Sequence, residues 1–303
     1  MGATVVDHQV PNDFLFDNGI SYFFGDIYNK NGNNMNWSLY EMQLIELGNV
    51  CYEKLENNLK NWKKKMKIEN KNNINLNISP EKPTLFASGL IVRCPIIDNG
   101  EYAENIYKII IDKFKINNIY VIEDERLKNT FNNIIKQMRN INLELISRLV
   151  VDTNINEEIQ RQKSLSKYFK GPFNNFGLKQ LKLDLNEYRF IKINPSEISL
   201  SMVPLGLEAD VKMVLKIYTI DDTELLNKLV CFVYLDEKDI IELDKDFDKY
   251  PNRFIEKFAK ATVSYYGFIN SIDKENNKIS VFCPNNEPSH KYILVGNIKY
   301  ENN

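Results

Sequence analysis

Residues 101–151 read EYAENIYKIIIDKFKINNIYVIEDERLKNTFNNIIKQMRNINLELISRLVV, and this stretch decides the fold class. Tyr102, Ile106, Ile109, Ile110 and Phe114 recur at helical spacing, which predicts a helix over Glu101–Phe114 with that face inward. Ile119-Tyr120-Val121-Ile122 is an unbroken apolar run and predicts a buried strand. A second helix is predicted over Asp124–Met138 and a further strand over Leu143–Val151. Upstream, Leu85–Cys94 reads as one more strand; downstream, Asn156–Phe169 reads as a last helix. Strands alternating with helices predict a parallel sheet covered on both faces, joined by right-handed crossovers.

Toward the N-terminus, Ala3–Val6 and Ile20–Phe24 read as short strands. Ser38 with Glu41 reads as a capping box opening a helix. Its apolar face is Leu44, Leu47, Cys51, Leu55, Leu59, Trp62 and Met66. Lys63-Lys64-Lys65 is expected to close it, since a basic last turn suits the negative end of the helix dipole; the same lysines could also form an RNA patch. Residues 68–82 are polar, end near Pro80 and Pro83, and read as a loop or insert.

After Gly171 the pattern changes. Seven short alternating runs follow: Leu181–Leu185, Tyr188–Ile193, Lys212–Tyr218, Leu229–Leu235, Val263–Asn270, Lys278–Phe282 and Tyr292–Ile298. Turn residues such as Asp273-Lys274-Glu275-Asn276-Asn277 separate several of them, which predicts an antiparallel β domain. One short helix, Pro251–Phe258, is expected inside it. The division is therefore 1–170 and 171–303. The fold class is α/β: an incomplete sheet of the P-loop type with helices on both faces, then a small antiparallel β domain.

Composition narrows the partners. The formal net charge is −2, so any RNA contact must come from a local patch. The four cysteines (Cys51, Cys94, Cys231, Cys283) share no C-x-x-C spacing, which points to buried thiols rather than a zinc site or a disulfide framework. No apolar run is long enough to span a membrane, and an intracellular protein is expected.

An ordered set of short motifs says more. Met1-Gly2-Ala3 is followed by Tyr22-Phe23-Phe24-Gly25, Asn36-x-x-Leu39-Tyr40, Ser88-Gly89 and Glu125-Arg126-Leu127. Then come Tyr168-Phe169-x-Gly171, Val203-Pro204-Leu205-Gly206, Gly267-Phe268-Ile269 and the Cys283-Pro284 turn. In this order they resemble the kinase-like subunit of the pre-mRNA cleavage and polyadenylation machinery, a relative of the polynucleotide 5′-hydroxyl kinases. The resemblance implies a protein of three parts: an N-terminal β domain, a central P-loop domain and a C-terminal β domain. Measured against it the chain reads as N-terminally truncated. Active relatives move the γ-phosphate of ATP to an RNA 5′-hydroxyl with magnesium; others bind ATP and act as structural subunits.

Phosphoryl transfer needs a cradle for the phosphates, which P-loop proteins build from G-x-x-x-x-G-K-[ST]. None of the glycines here is followed by lysine, so that string is absent. Where active relatives carry Asn-Thr-x-Gly-Trp, this chain has Val92-Arg93-Cys94-Pro95-Ile96-Ile97. Without the tryptophan a base-stacking contact of roughly 1–3 kcal/mol is missing. Arg93 could meet a phosphate or stand as a surface arginine. In the segment that matches the family's arginine-rich lid, Ser164 and Ser166 occupy two arginine positions. Arg161 alone aligns with one. Arg161, Lys163 and Lys167 are either lid or RNA contacts, or an exposed helix face. Asp124 either caps a helix or borders a nucleotide site. His8 and His290 lack a recognisable partner.

No catalytic residue, resident cofactor or metal ligand is assigned to this chain alone; ATP and magnesium are what the resemblance implies for complete relatives. The expectation is a non-catalytic nuclear subunit of the 3′-end processing machinery, with protein partners, RNA as a further partner and no membrane. The alternative is an ATP-dependent RNA 5′-hydroxyl kinase of tRNA splicing or RNA repair, which requires an upstream P-loop segment.

Overall fold

The computed structural model describes residues 2–3, 19–26, 35–72, 89–94, 97, 100–136, 138, 140–147, 157–171, 177–196, 213–288 and 290–300. They fall into two compact units. One is an α/β unit (Gly2–Gly19 and Leu44–Leu149); the other is a β unit (Met1, Ile20–Gln43 and Val150–Asn303).

The long helix α1 runs Trp37–Asn72, and its first turns, through Gln43, belong to the β unit. Its start differs from the expected capping box. Asn36 is the cap: its Oδ1 accepts the Leu39 N–H at 3.1 Å, the bond an N-cap side chain makes to satisfy an orphan donor. Ser38 already lies inside the helix. Nor does α1 stop at Lys65. No Pro or Gly interrupts residues 66–72, so the helix continues into the stretch read as an insert; residues 73–82 lie outside the described residues.

The α/β unit then contains α2 (Gly100–Lys113), β1 (Asn118–Ile122), α3 (Glu125–Ile135) and β2 (Asn142–Ile146). β1 and β2 pair in parallel, Asn118 opposite Asn142 through Ile122 opposite Ile146. Ala103, Ile106, Tyr107, Ile110 and Ile111 of α2 are buried, as is Phe114 just past its end, whereas Tyr102 is 44% exposed, so the inward face is turned toward Tyr107. The Tyr107 ring meets Phe131 of α3 at 4.7 Å, and its hydroxyl accepts the Ile97 N–H at 3.1 Å. α3 packs against both strands.

β1 is not the buried strand its apolar run suggested. Val121 is buried, but Tyr120 and Ile122 are 59% and 61% exposed. Alternation explains this: Val121 faces the side that α3 covers, and Tyr120 and Ile122 point the opposite way. Of the strand expected over Leu85–Cys94, residues 89–94 are irregular and pair with no described strand; residues 85–88 lie outside the described residues. Of the strand expected over Leu143–Val151, residues 148–151 likewise lie outside them.

The β unit holds all seven strands expected after Gly171. They are β3 (Lys179–Asp184), β4 (Arg189–Pro195), β5 (Met213–Ile217), β6 (Lys228–Tyr234), β7 (Thr262–Asp273), β8 (Lys278–Cys283) and β9 (Tyr292–Lys299). They form one sheet in the order β3-β8-β7-β6-β9-β4-β5. Every neighbouring pair is antiparallel except β9 with β4, which is parallel over Tyr292–Leu294 against Arg189–Ile191. The sheet is therefore mixed rather than purely antiparallel.

The central strands read as nearly unbroken apolar runs because both faces of the sheet are buried. On β6, Leu229, Cys231 and Val233 enter one core, while Val230 and Phe232 enter the other. The first core is closed by helices: α4 (Glu157–Lys170) through Phe169, α5 (Glu237–Asp246) through Leu243, and α6 (Ile255–Lys260) through Phe258. α5 is an element the sequence reading missed, although Ile240, Leu243 and Phe247 recur at helical spacing. Pro251–Phe254 is a 3₁₀ turn leading into α6, within the region where one short helix was expected.

Two motif glycines have steric reasons. A Cβ on Gly267 would lie 2.8 Å from Val281 Cγ1 and 2.9 Å from the Phe282 carbonyl oxygen, closer than packed atoms sit. Gly25 has φ +76° and lies against Gly296, where an added Cβ would meet the Gly25 oxygen at 2.7 Å. Gln43 is fully buried; its Nε2 donates to the carbonyls of Phe23 (2.9 Å) and Ala259 (3.2 Å) and so joins the start of α1 to the β unit.

Candidate functional site

The residues singled out in the sequence fall in both units. Arg93 belongs to the α/β unit and is exposed in the irregular stretch 89–94. Arg161, Lys163 and Lys167 belong to the β unit and share α4.

α4 is a docked helix. Leu165, Tyr168 and Phe169 follow the i, i+3, i+4 spacing and face the core. Phe169 is buried, with its ring 5.1 Å from Phe268 and 5.0 Å from Tyr300. The Tyr168 hydroxyl accepts the Tyr266 N–H of β7 at 2.9 Å. Burial raises the Tyr168 pKa, so the phenol stays neutral in this role. Gly171 ends the helix with φ +75°, its N–H donating to the Lys167 carbonyl at 3.0 Å. A left-handed residue just past the last turn is the position glycine fills most readily. Tyr168-Phe169-x-Gly171 thus has a structural reason at every named residue.

The rest of α4 is strongly basic. Between Ile159 and Lys170 it carries Arg161, Lys163, Lys167 and Lys170, and no carboxylate. Lys163 and Lys167 are exposed, with Ser164 between them; Arg161, Ser166 and Lys170 are half-buried. This face could meet phosphates. It offers one guanidinium fork, Arg161; its lysines present point charges instead of planar bidentate donors.

Asp124 caps α3: its Oδ1 accepts the Leu127 N–H at 2.9 Å. That favours the capping reading over a nucleotide-bordering role. His290 also has a structural place. Its Nε2 lies 2.7 Å from the Val233 carbonyl and its Nδ1 accepts the Tyr292 N–H at 3.2 Å, which fixes the neutral tautomer. Burial lowers its pKa, against smaller opposing contributions from Val233 and Asp244. The cysteines are all free thiols: Cys231 and Cys283 are buried, Cys51 is half-buried and Cys94 is exposed, so the expectation of four buried thiols holds for two. Among the described residues no three His, Cys, Asp or Glu side chains converge as a metal site, and no helix is long and apolar enough to cross a membrane.

Residues 179–302, from the first to the last strand of the seven-stranded sheet, match the family model of Clp1, the pre-mRNA cleavage complex II protein. Over those residues the chain is similar to the Clp1 family. Two solved structures share the fold over 99% of this chain. One describes the extended interface between Pcf11p and Clp1p and the structural basis for ATP loss in a point mutant (17% identity, TM-score 0.62). The other is the wild-type complex of Clp1p with Pcf11p 454–563 (16% identity, TM-score 0.63). At these identities the likeness is one of fold. This Clp1-like chain spans 59% of the length of each of those chains. No curated protein matches it in sequence.

The residues of ATP chemistry in P-loop proteins do not fit what is present here. No Gly-Lys pair exists to cradle phosphates, and the Asp124 carboxylate is already bonded as a helix cap.

Proposed function

We propose that this protein is a non-catalytic subunit of the nuclear pre-mRNA 3′-end cleavage and polyadenylation machinery. The match of residues 179–302 to the Clp1 family carries this reading. The shared fold of the Clp1p–Pcf11p structures supports it, and supports a Pcf11-like polypeptide as a protein partner. The serines at 164 and 166, where the resemblance places lid arginines, argue for a role in assembly rather than phosphoryl transfer. RNA is a second partner, met by the basic face of α4 through Arg161, Lys163 and Lys167, with Arg93 as a further phosphate contact in the other unit. The proposed compartment is the nucleus, where that machinery works.

Affinity capture of the tagged chain from nuclear extract tests the reading. Recovery of 3′-end processing factors is expected. Their absence, with a known subunit recovering them in parallel, would count against it. The RNA 5′-hydroxyl kinase alternative is read in the same preparation. Transfer of labelled γ-phosphate to 5′-hydroxyl RNA would replace the assembly reading with an enzymatic one.

A further inference from the structure

β4 and β9 pair only as far as Ile191 opposite Leu294, although β4 continues to Pro195 and β9 to Lys299. Where the pairing stops there is a cavity of about 160 Å³. At about 30 Å³ per water, it would hold roughly five waters. Its apolar walls come from the core, and its polar lining includes Lys192, Asn194, Asp26, Asn36 and Asn297.

The charges around this cavity are unevenly matched. Lys192 stands directly opposite Lys216 in the β4–β5 register, and like charges so placed repel. Lys216 is neutralised by Glu224 at 2.5 Å and Asp222 at 3.4 Å. Lys228, 4% exposed, takes the other Glu224 oxygen at 3.3 Å and the Tyr218 hydroxyl at 3.4 Å. Asp26 accepts the Asn297 side-chain amide at 2.8 Å. The three nearby carboxylates are thus engaged elsewhere, and Lys192 has no hydrogen bond or ion pair among the described residues. Burial foremost, then Lys228, with Lys216 adding a smaller part, pushes the Lys192 pKa down; Glu224 and Asp26 oppose this without cancelling it. A half-buried ammonium lacking a partner costs some stability that an incoming anion would recover.

We infer that the cavity between β4 and β9 is a binding site for a single small oxyanion, with the Lys192 ammonium as its cation and the side-chain amides of Asn36, Asn194 and Asn297 in its walls. The site needs no 3′-processing partner, so it stands or falls separately from the function proposed above. Asn36 has an amide to offer: its Nδ2 makes only a long 3.4 Å bond to the Ile193 carbonyl.

Thermal unfolding of the full chain at constant ionic strength, with inorganic phosphate or formate replacing chloride, tests it. The wild-type chain is expected to show a saturable rise in Tm with at least one of the two. Phosphate alone would mean a tetrahedral anion, formate alone a planar carboxylate. In Lys192→Met the apparent affinity should fall about tenfold or more, as when one partner of a desolvated charge pair is removed. Lys192→Gln is read in the same way if Lys192→Met does not fold. In the wild-type chain, the Lys192 side-chain ¹⁵N resonance should also move with the anion that raises Tm. A wild-type chain with no saturable response, an unmoved Lys192 resonance, or an undiminished response in the variants would overturn the site.

Discussion

Asp124, Asn36 and His290 show how far single residues could be read. Asp124 was legible because a carboxylate just before Glu125-Arg126-Leu127 has one cheap task, capping the helix that follows. Asn36 was missed because Ser38 and Glu41 have the spacing of a capping box, and spacing alone cannot say which of two polar residues sits in extended backbone. His290 had no partner in the sequence because its partners are backbone groups, which sequence does not display. That environment has a consequence. The pKa of His290 is lower in the fold than its ordinary 6.5, so the folded state binds fewer protons than the unfolded chain. The stability tied to neutral His290 is therefore complete above pH 6.5 and declines as pH falls below it. Carboxylates held below their ordinary range, such as Asp222 and Glu224, begin to lose their contributions only at lower pH. Urea unfolding between pH 6.5 and about 5 should show stability falling in the wild-type chain and a flatter profile in His290→Gln. Equal slopes would assign the pH dependence elsewhere.

Among elements, the β strands were the most legible. Short runs bounded by turn residues marked all seven: the edge strands β3 and β5 alternate because each fills one core, and a central strand such as β6 runs apolar because it faces two. The parallel pairing of β9 with β4 was not legible, since nothing in either strand names its neighbour. The length of α1 was misread because a basic cluster can end a helix but does not have to. α4 has two faces with different jobs. Leu165, Tyr168 and Phe169 hold it to the sheet, and their spacing could be read directly. Whether its basic residues serve RNA is a question for measurement. Replacing Arg161, Lys163 and Lys167 together by Gln should reduce the steepness with which single-stranded RNA affinity falls with salt. The slope of log affinity against log salt would shrink by about two, at roughly 0.7 per lost phosphate contact. Fluorescence anisotropy across a salt series measures it, with Tm as a check on folding. An unchanged slope would return α4 to a purely structural helix. Lys192 had one signal in the sequence: a lone charge inside the apolar alternation of Phe190 to Ile193. Its significance emerged only once Lys216 was found opposite it.

At the scale of the whole molecule, the α/β and β parts were each legible from the change of pattern near Gly171. Their membership was less so, because residues 20–43 lie in sequence between the two segments of the α/β unit yet pack with the β unit. Tyr22 bridges Thr262, and Gln43 bonds the Phe23 and Ala259 carbonyls. The proposed function rests in part on the order of short motifs. Several of them prove to be packing solutions of the seven-stranded sheet and the helix that supports it: Gly267 in the sheet, Gly25 against Gly296, Tyr168 and Phe169 on α4, and Gly171 at its end. The central claim is best tested by immunodepleting this protein from nuclear extract and following pre-mRNA 3′-end cleavage. The account predicts that cleavage is lost, that adding back the protein with its associated factors restores it, and that the restored extract owes no RNA 5′-phosphorylation to this chain. Cleavage that survives complete depletion, or phosphate transfer that follows the added protein, would contradict it.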